Sequence, residues 1–584
     1  MGDHRRADPA TTHIATQGDA TAAWARPAAP PAPPTPAPAS RIGYVPTRAN
    51  RVRDGLAVAL LVVALLLPWS LDFGLGVPGS SALLFVGVVV VTLLAIAAAL
   101  APHVGPLRLT APEPDLHRTT RVRFWLTLAY FICVLGFVGF HLVQTISFGG
   151  TGAVPPGVGP GMCLGVAGAL LAAQPPLTSS TLEDNAFDRW YAVARLIGVA
   201  SIALAAWAVV FNLFWRLRYL FVTNVDFGGQ DVAVVVTTLL YGAVAMIALV
   251  IASLWLIQKT AAARLATTAL GVSAGVASTL VWLAGVGNDV DAFHGIAENT
   301  STAAVGYEGY LAWAAAAAIV APTTLYAVFL IKPPTLAVYR GAALKCLTLI
   351  AFWSFAAAGL RVTDFLIALS LDLPRTLYDS FALTAFNVVT GAIAVWLKRQ
   401  LAKGGLTSTV IAAFSAVLSV FTVAQLVIGV ALAPRYADPT PRDPDAIYGN
   451  NLAQQLTSTF DVVVCALSLA ILVAALVTGP LAGYVLRRRG TRAVAQTAAQ
   501  PSAAPVAPTP PPAPPAIRRQ PQTTVPKIVR LKEDSTTLLP AATPAPPTTE
   551  LSVATTALRI QRRPEPPSSA ATQHIPAPPE PDKG

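Results

Sequence analysis

Arg361 and Asp364 stand three residues apart where one apolar run gives way to a second apolar stretch, Phe365 to Leu371. If a single helix continues through them, they share a face and form an ion pair that could line a path. An interfacial pair at a loop is the plainer alternative. Few other side chains in the apolar runs can do chemistry. Asn387 and Gln425 are deep amides, as is Asn212, and each reads as a bridge between helices or as a group along a transport route. Pro322 interrupts a run and is followed by Thr323 and Thr324, whose hydroxyls can satisfy the carbonyls a proline leaves free. Broken helices of this kind line transport sites in membrane carriers, although a static kink needs no more explanation. The candidate transport path is therefore Pro322, Thr323, Thr324, Asn387 and Gln425.

The remaining candidates point to no reaction. His141 lies beside Gln144 near the end of a run, where an interhelical hydrogen bond is the simpler role than pH sensing. Asp289, Asp291, His294 and Glu298 crowd one loop, but their spacing fits no calcium-loop pattern. Cys133, Cys163, Cys346 and Cys465 sit singly in apolar runs, so neither a disulfide framework nor a zinc site is expected. No phosphate-binding loop, zinc-protease helix or nucleophile elbow occurs. No catalytic residue, cofactor or metal is assigned. Glu308, Lys345 and Asp461 fall at run edges, where boundary placement or snorkelling accounts for them. A charge at mid-bilayer costs roughly 2.5–3.5 kcal/mol on insertion scales, so the scarcity of deep carboxylates argues against an ion-coupled carrier.

The elements that must position these groups follow from composition. Hydrophobic residues make up 54% of the 584 residues and charged residues only 12%, half the share of a soluble domain. A bilayer core of about 30 Å needs about 20 apolar helical residues. Twelve runs approach that length, at roughly 55–71, 80–101, 124–144, 158–174, 191–214, 232–256, 265–286, 309–331, 343–360, 380–397, 406–433 and 460–486. The fourth is short and glycine-rich, and reads either as a span or as a re-entrant hairpin. The expected fold is an all-α, polytopic transmembrane helical bundle of about 12 spans over 51–489.

Basic residues place the loops. Arg118, Arg121 and Arg123, then Lys259 and Arg264, Lys332 and Arg340, Lys398 and Lys403, and finally Arg487 to Arg489 fall on one side if both termini are cytoplasmic. The net charge of +11 is thereby explained without nucleic acid. Trp69, Trp125, Trp190, Trp215, Trp255 and Trp396 lie near run ends and read as interfacial anchors. Gly161–Gly165 and Gly271–Gly275 are GxxxG pairs suited to close helix packing.

Residues 1–50 and 490–584 are Pro/Ala-rich and too poor in large apolar groups to offset ordering entropy, so both read as disordered cytoplasmic tails. Ser535, Thr536 and Thr537 follow Lys532-Glu533-Asp534 and are candidate phosphorylation sites. Of the 40 basic residues 32 are Arg, which with the Ala and Pro excess suggests a GC-rich, actinobacterial genome.

Three stretches carry a resemblance. Arg51 to Ser80 includes Leu67-Pro68-Trp69 and Phe73-Gly74-Leu75-Gly76-Val77-Pro78; the others are Asp291 to Glu298 and Gly306 to Trp313. They resemble a group of uncharacterised mycobacterial and actinobacterial polytopic membrane proteins with Pro-rich tails. The resemblance implies an envelope location and no activity. Two functions are expected: an uncoupled permease or lipid-handling protein in the cell (inner) membrane, or an envelope scaffold whose tails recruit protein partners. The lipid bilayer is the one partner common to both.

Overall fold

The computed structural model describes residues 47–70, 73–104, 109, 115–148, 158–178, 187–218, 229–285, 307–327, 336–370, 377–431 and 459–479. They form twelve helices, one for each apolar run. These are α1 (Thr47–Leu66), α2 (Ala82–Leu100), α3 (Leu116–Phe148), α4 (Pro160–Ala173), α5 (Phe187–Leu217) and α6 (Gly229–Ile257). Then follow α7 (Ala261–Gly285), α8 (Ala312–Tyr326), α9 (Leu336–Ser370), α10 (Leu377–Lys403), α11 (Ser408–Ala431) and α12 (Thr459–Thr478). Ten are long and apolar enough to cross a membrane; α1 opens with charged residues and α4 is shorter. Among the described residues the only β pairing is an isolated bridge between Ser70 and Val158. The chain is an all-α, multi-pass membrane protein.

Local chemistry sets the helix ends. Ser81 accepts a hydrogen bond from the Leu84 amide and Asp115 from the Arg118 amide, each satisfying a free donor of a first turn. Gly404, at φ +73°, closes α10 in the left-handed conformation that glycine adopts without penalty. Thr260 caps α7 through the Ala263 amide, so α6 turns into α7 within three residues.

Contacts at the two ends fix the direction of α4 relative to α1. At the end where α1 begins, here the near end, Asn50 exchanges hydrogen bonds with Leu177, just past α4 (3.1 and 2.8 Å). At the far end the amides of Gly159 and Gly161 donate to Trp69 and Pro68 (2.8 and 2.9 Å), just past α1. So α4 runs antiparallel to α1 and spans its length. It is a single buried helix with non-helical flanks, laid along α1, and not a hairpin. Its 14 residues rise about 21 Å. Irregular backbone at both of its ends is enclosed by protein, the setting in which a membrane tolerates it.

The short helix is held at both ends. At the near end Arg123, fully buried, donates to the last carbonyls of α4, Leu171 (3.1 Å) and Ala172 (2.6 Å), and bidentately to Asp54. Arg53 also bonds Asp54 (2.9 Å) and reaches the Pro175 carbonyl (2.6 Å), and His103 Nε2 lies 2.9 Å from Asp54. A helix ends with four unsatisfied carbonyls and a partial negative charge, and guanidinium donors answer both. Arg53 and Arg123 are thus buried in a knot rather than exposed as basic-loop residues.

The helices that pack most tightly are those with small residues. A methyl added at Gly161 would sit 2.5 Å from the Leu67 carbonyl oxygen, and one at Gly168 2.9 Å from Leu61. On the other side of α4, α8 is a run of alanines around Trp313, almost wholly enclosed by α4, α5 and α7. Trp69 is also a core residue. It is 1% exposed, donates to the Ala64 carbonyl and packs on Tyr130 and Phe137, so it is not an interfacial anchor. Trp255 is likewise buried, whereas Trp125, 63% exposed, faces outward as an anchor should.

Candidate functional site

Apart from the Asp54 knot at the near end, a second group of buried polar side chains lies towards the far end, where α8 and α12 begin. A π-helical turn, Tyr307–Leu311, leads into α8 and buries Glu308 (5% exposed). A π turn leaves carbonyls badly aimed for the helix ladder. Here the Glu308 carbonyl accepts from Ser201, which pairs with Ser253 (2.9 Å), which in turn accepts from Trp313 Nε1 (3.1 Å). This relay joins α5 and α6 to the entry of α8.

Next to it, α12 starts with Thr459, Phe460 and Asp461, all buried. Phe460 stacks edge-on against Trp353 (4.5 Å) and contacts Trp313 (6.0 Å). Trp353 Nε1 donates to Asp461 Oδ1 (2.6 Å). Asp461 lines a cavity of about 10 Å³ together with Arg361 of α9 and Thr422 and Gln425 of α11. That volume suits one water-sized occupant. Gln425 Nε2 donates to Asn387 Oδ1 of α10 (2.8 Å), Asn387 back-bonds to Leu383, and Thr422 pairs with Ser468 (2.7 Å). Three helices, α9, α11 and α12, therefore contribute polar side chains to one small space holding both a cation and a carboxylate, and Leu383 of α10 completes its wall.

The sequence candidates divide on this frame. Asn387 and Gln425 are brought together. Arg361 and Asp364 do lie on one continuous helix, since α9 runs to Ser370. Arg361, 7% exposed, lines the cavity that Asp461 also lines, while the side chain of Asp364 lies outside the described residues. Pro322, Thr323 and Thr324 are elsewhere. Thr323 bonds Tyr191 of α5 (2.6 Å) at the near end, 13 residues from Tyr310, which is about 20 Å along a helix. The five path candidates are thus spread between the two ends of the bundle. His141, 2% exposed, packs against Phe137 and Phe140. The loop with Asp289, Asp291, His294 and Glu298, the tail residues 1–46 and 490–584, and with them Ser535, Thr536 and Thr537, lie outside the described residues, as does the side chain of Asn212; residues 47–50, read as tail, begin α1.

Asp461 and Glu308 are the residues that run-edge reasoning undervalued. Each sits at the edge of an apolar run, where snorkelling is the economical reading, yet both point into protein. The available signal was aromatic: Phe460 beside Asp461, and Tyr307 and Tyr310 flanking Glu308.

No catalytic arrangement accompanies these groups among the described residues. Comparison with curated proteins and with solved structures finds no match. Residues 50–480, the span that holds all twelve helices but for a few residues at its start, match the family described as Domain of unknown function (DUF7937), and the chain belongs to that family.

Proposed function

We propose that the protein is a permease for a small polar solute, with the space between Arg361, Asp461, Thr422 and Gln425 as its closed binding chamber and Asn387 holding Gln425 in place. One observation carries the reading: ionisable side chains from α9 and α12 face a shared cavity inside a membrane bundle. Charged residues are retained there mainly where they pair or line a route. The scarcity of deep charge favoured an uncoupled or lipid-handling route; the inward placement of Asp461 and Glu308 weakens that ground and favours a polar solute. The proposal includes residence in the inner membrane of an actinobacterium with both chain ends cytoplasmic. Arg-rich composition and the basic near-end turns support this. The scaffold reading rests on tails outside the described residues, and no described residue favours it.

A permease must open this chamber to water, whereas a static polar core stays closed. In a background with Cys133, Cys163, Cys346 and Cys465 replaced by Ala, Gln425→Cys is expected to react with a membrane-impermeant thiosulfonate. Val420→Cys, on the exposed face of the same helix (65% exposed), should stay unlabelled as a lipid-facing control. Gln425→Cys that resists the reagent from both faces of the membrane, in folded protein, would refute the proposal.

A further inference from the structure

A second cavity lies at the near end, away from the chamber. Its volume is about 210 Å³, and Tyr191, Arg195, Lys259 and Arg264 line it with a single carboxylate, Asp188. The elements that build it are the start of α5, the α6–α7 turn, the first turn of α7 and the end of α8. Leu256 and Val320 supply an apolar floor. The Arg264 guanidinium stacks over the Tyr191 ring at 4.8 Å, and the Tyr191 hydroxyl is anchored on Thr323, so one wall is preset. Arg195, one turn after Tyr191 on α5, is half-buried, and neither it nor Lys259 forms an ion pair with a described residue. Charges that serve only to orient a chain in the membrane need not converge on a cavity. Among the described residues, three cations and one carboxylate line a space large enough for a phosphate group, a net positive excess.

We infer that this cleft binds the phosphate headgroup of an anionic phospholipid. Two observations select a lipid over a soluble anion. The floor is apolar, and α5 carries outward-facing Leu196 (67% exposed) and Val199 (53% exposed) directly after Arg195, a surface for acyl chains. Basic pockets between transmembrane helices have the chemistry to hold such headgroups, and each Lys or Arg contributes about five-fold to binding. The site is separate from the proposed chamber, and its test does not depend on transport.

The test uses the full chain purified in phosphatidylcholine-doped detergent, titrated with phosphatidylglycerol, with bound lipid counted by native mass spectrometry. Wild-type protein is expected to retain phosphatidylglycerol in preference to phosphatidylcholine. Arg195→Gln with Lys259→Gln leaves the Arg264–Tyr191 stack intact and should weaken retention about thirty-fold. Lys259→Gln alone, on an exposed turn, should weaken it about five-fold and serves if the double variant does not fold. Equal retention of the two lipids, or full retention by the folded variants, would overturn the inference. Thermal stabilisation by inorganic phosphate with no response to phosphatidylglycerol would assign the cleft to a soluble anion and overturn it equally.

Discussion

Asp54→Ala is expected to lower the stability of the protein by about 3–5 kcal/mol. Asp54 is 2% exposed and is bonded by Arg53, Arg123 and His103. Its loss leaves two guanidiniums buried side by side with no counter-charge. Repulsion then acts on the groups that hold the C-terminal carbonyls of α4. The consequence is loss of the anchor of α4, not merely of one ion pair. Unfolding in detergent, by heat or by graded sodium dodecyl sulfate, measures the cost. Arg121→Ala, an exposed change two residues from Arg123 on the same helix, should stay within about 0.5 kcal/mol. Matching losses from the two variants would show that the knot contributes no more than surface charge.

The second large effect is steric. A Cβ at Gly271 of α7 would lie 2.2 Å from Ala317 Cβ and 2.5 Å from the Trp313 carbonyl oxygen, both fixed parts of α8. Gly271→Ala must push α7 and α8 apart and should cost about 1–3 kcal/mol. Gly271→Leu should yield no folded protein. At Gly275, one turn on, the nearest atom is the mobile end of Leu164 at 3.3 Å. There the helix preference of alanine, about 1 kcal/mol over glycine, offsets a small side-chain shift, and the change should be close to neutral. The same unfolding experiment reads both; equal costs at Gly271 and Gly275 would mean that α7 and α8 are not in backbone contact. The contrast matters in a membrane because helix association there rests on close packing rather than on expulsion of water.

Much of this architecture is legible in the sequence because hydrocarbon imposes length. Each of the twelve apolar runs contains one helix, and the disagreements concern ends. The first run was read from Gly55, yet α1 starts at Thr47 because Arg53 and Asp54 find partners inside the protein and so need no loop. The last was read to 486; α12 is seen to Thr478, and 480–486 lie outside the described residues. Pairing between distant segments was less legible. The amides Asn387 and Gln425 were visible as deep polar groups, but nothing in spacing could join Arg361 to Asp461, a hundred residues away. Trp69 misled because position in a run reports depth, not facing. The chain turns back over α1 at Pro68, and that carries the indole into the core. Pro322, Thr323 and Thr324 were placed with the amides on polarity alone, although α8 holds them at the opposite end.

Every inference about sidedness depends on whether α4 crosses the membrane, since a non-crossing α4 would invert all that follows it. Single cysteines in the cysteine-free background decide this: Leu75→Cys between α1 and α2, Lys259→Cys between α6 and α7, and Gly405→Cys between α10 and α11, all at exposed positions. With α4 crossing, an impermeant maleimide on intact cells labels Leu75→Cys alone, and the other two react only after permeabilisation. Labelling of all three in intact cells would place Lys259 and Gly405 on the same face as Leu75 and contradict the twelve-crossing bundle.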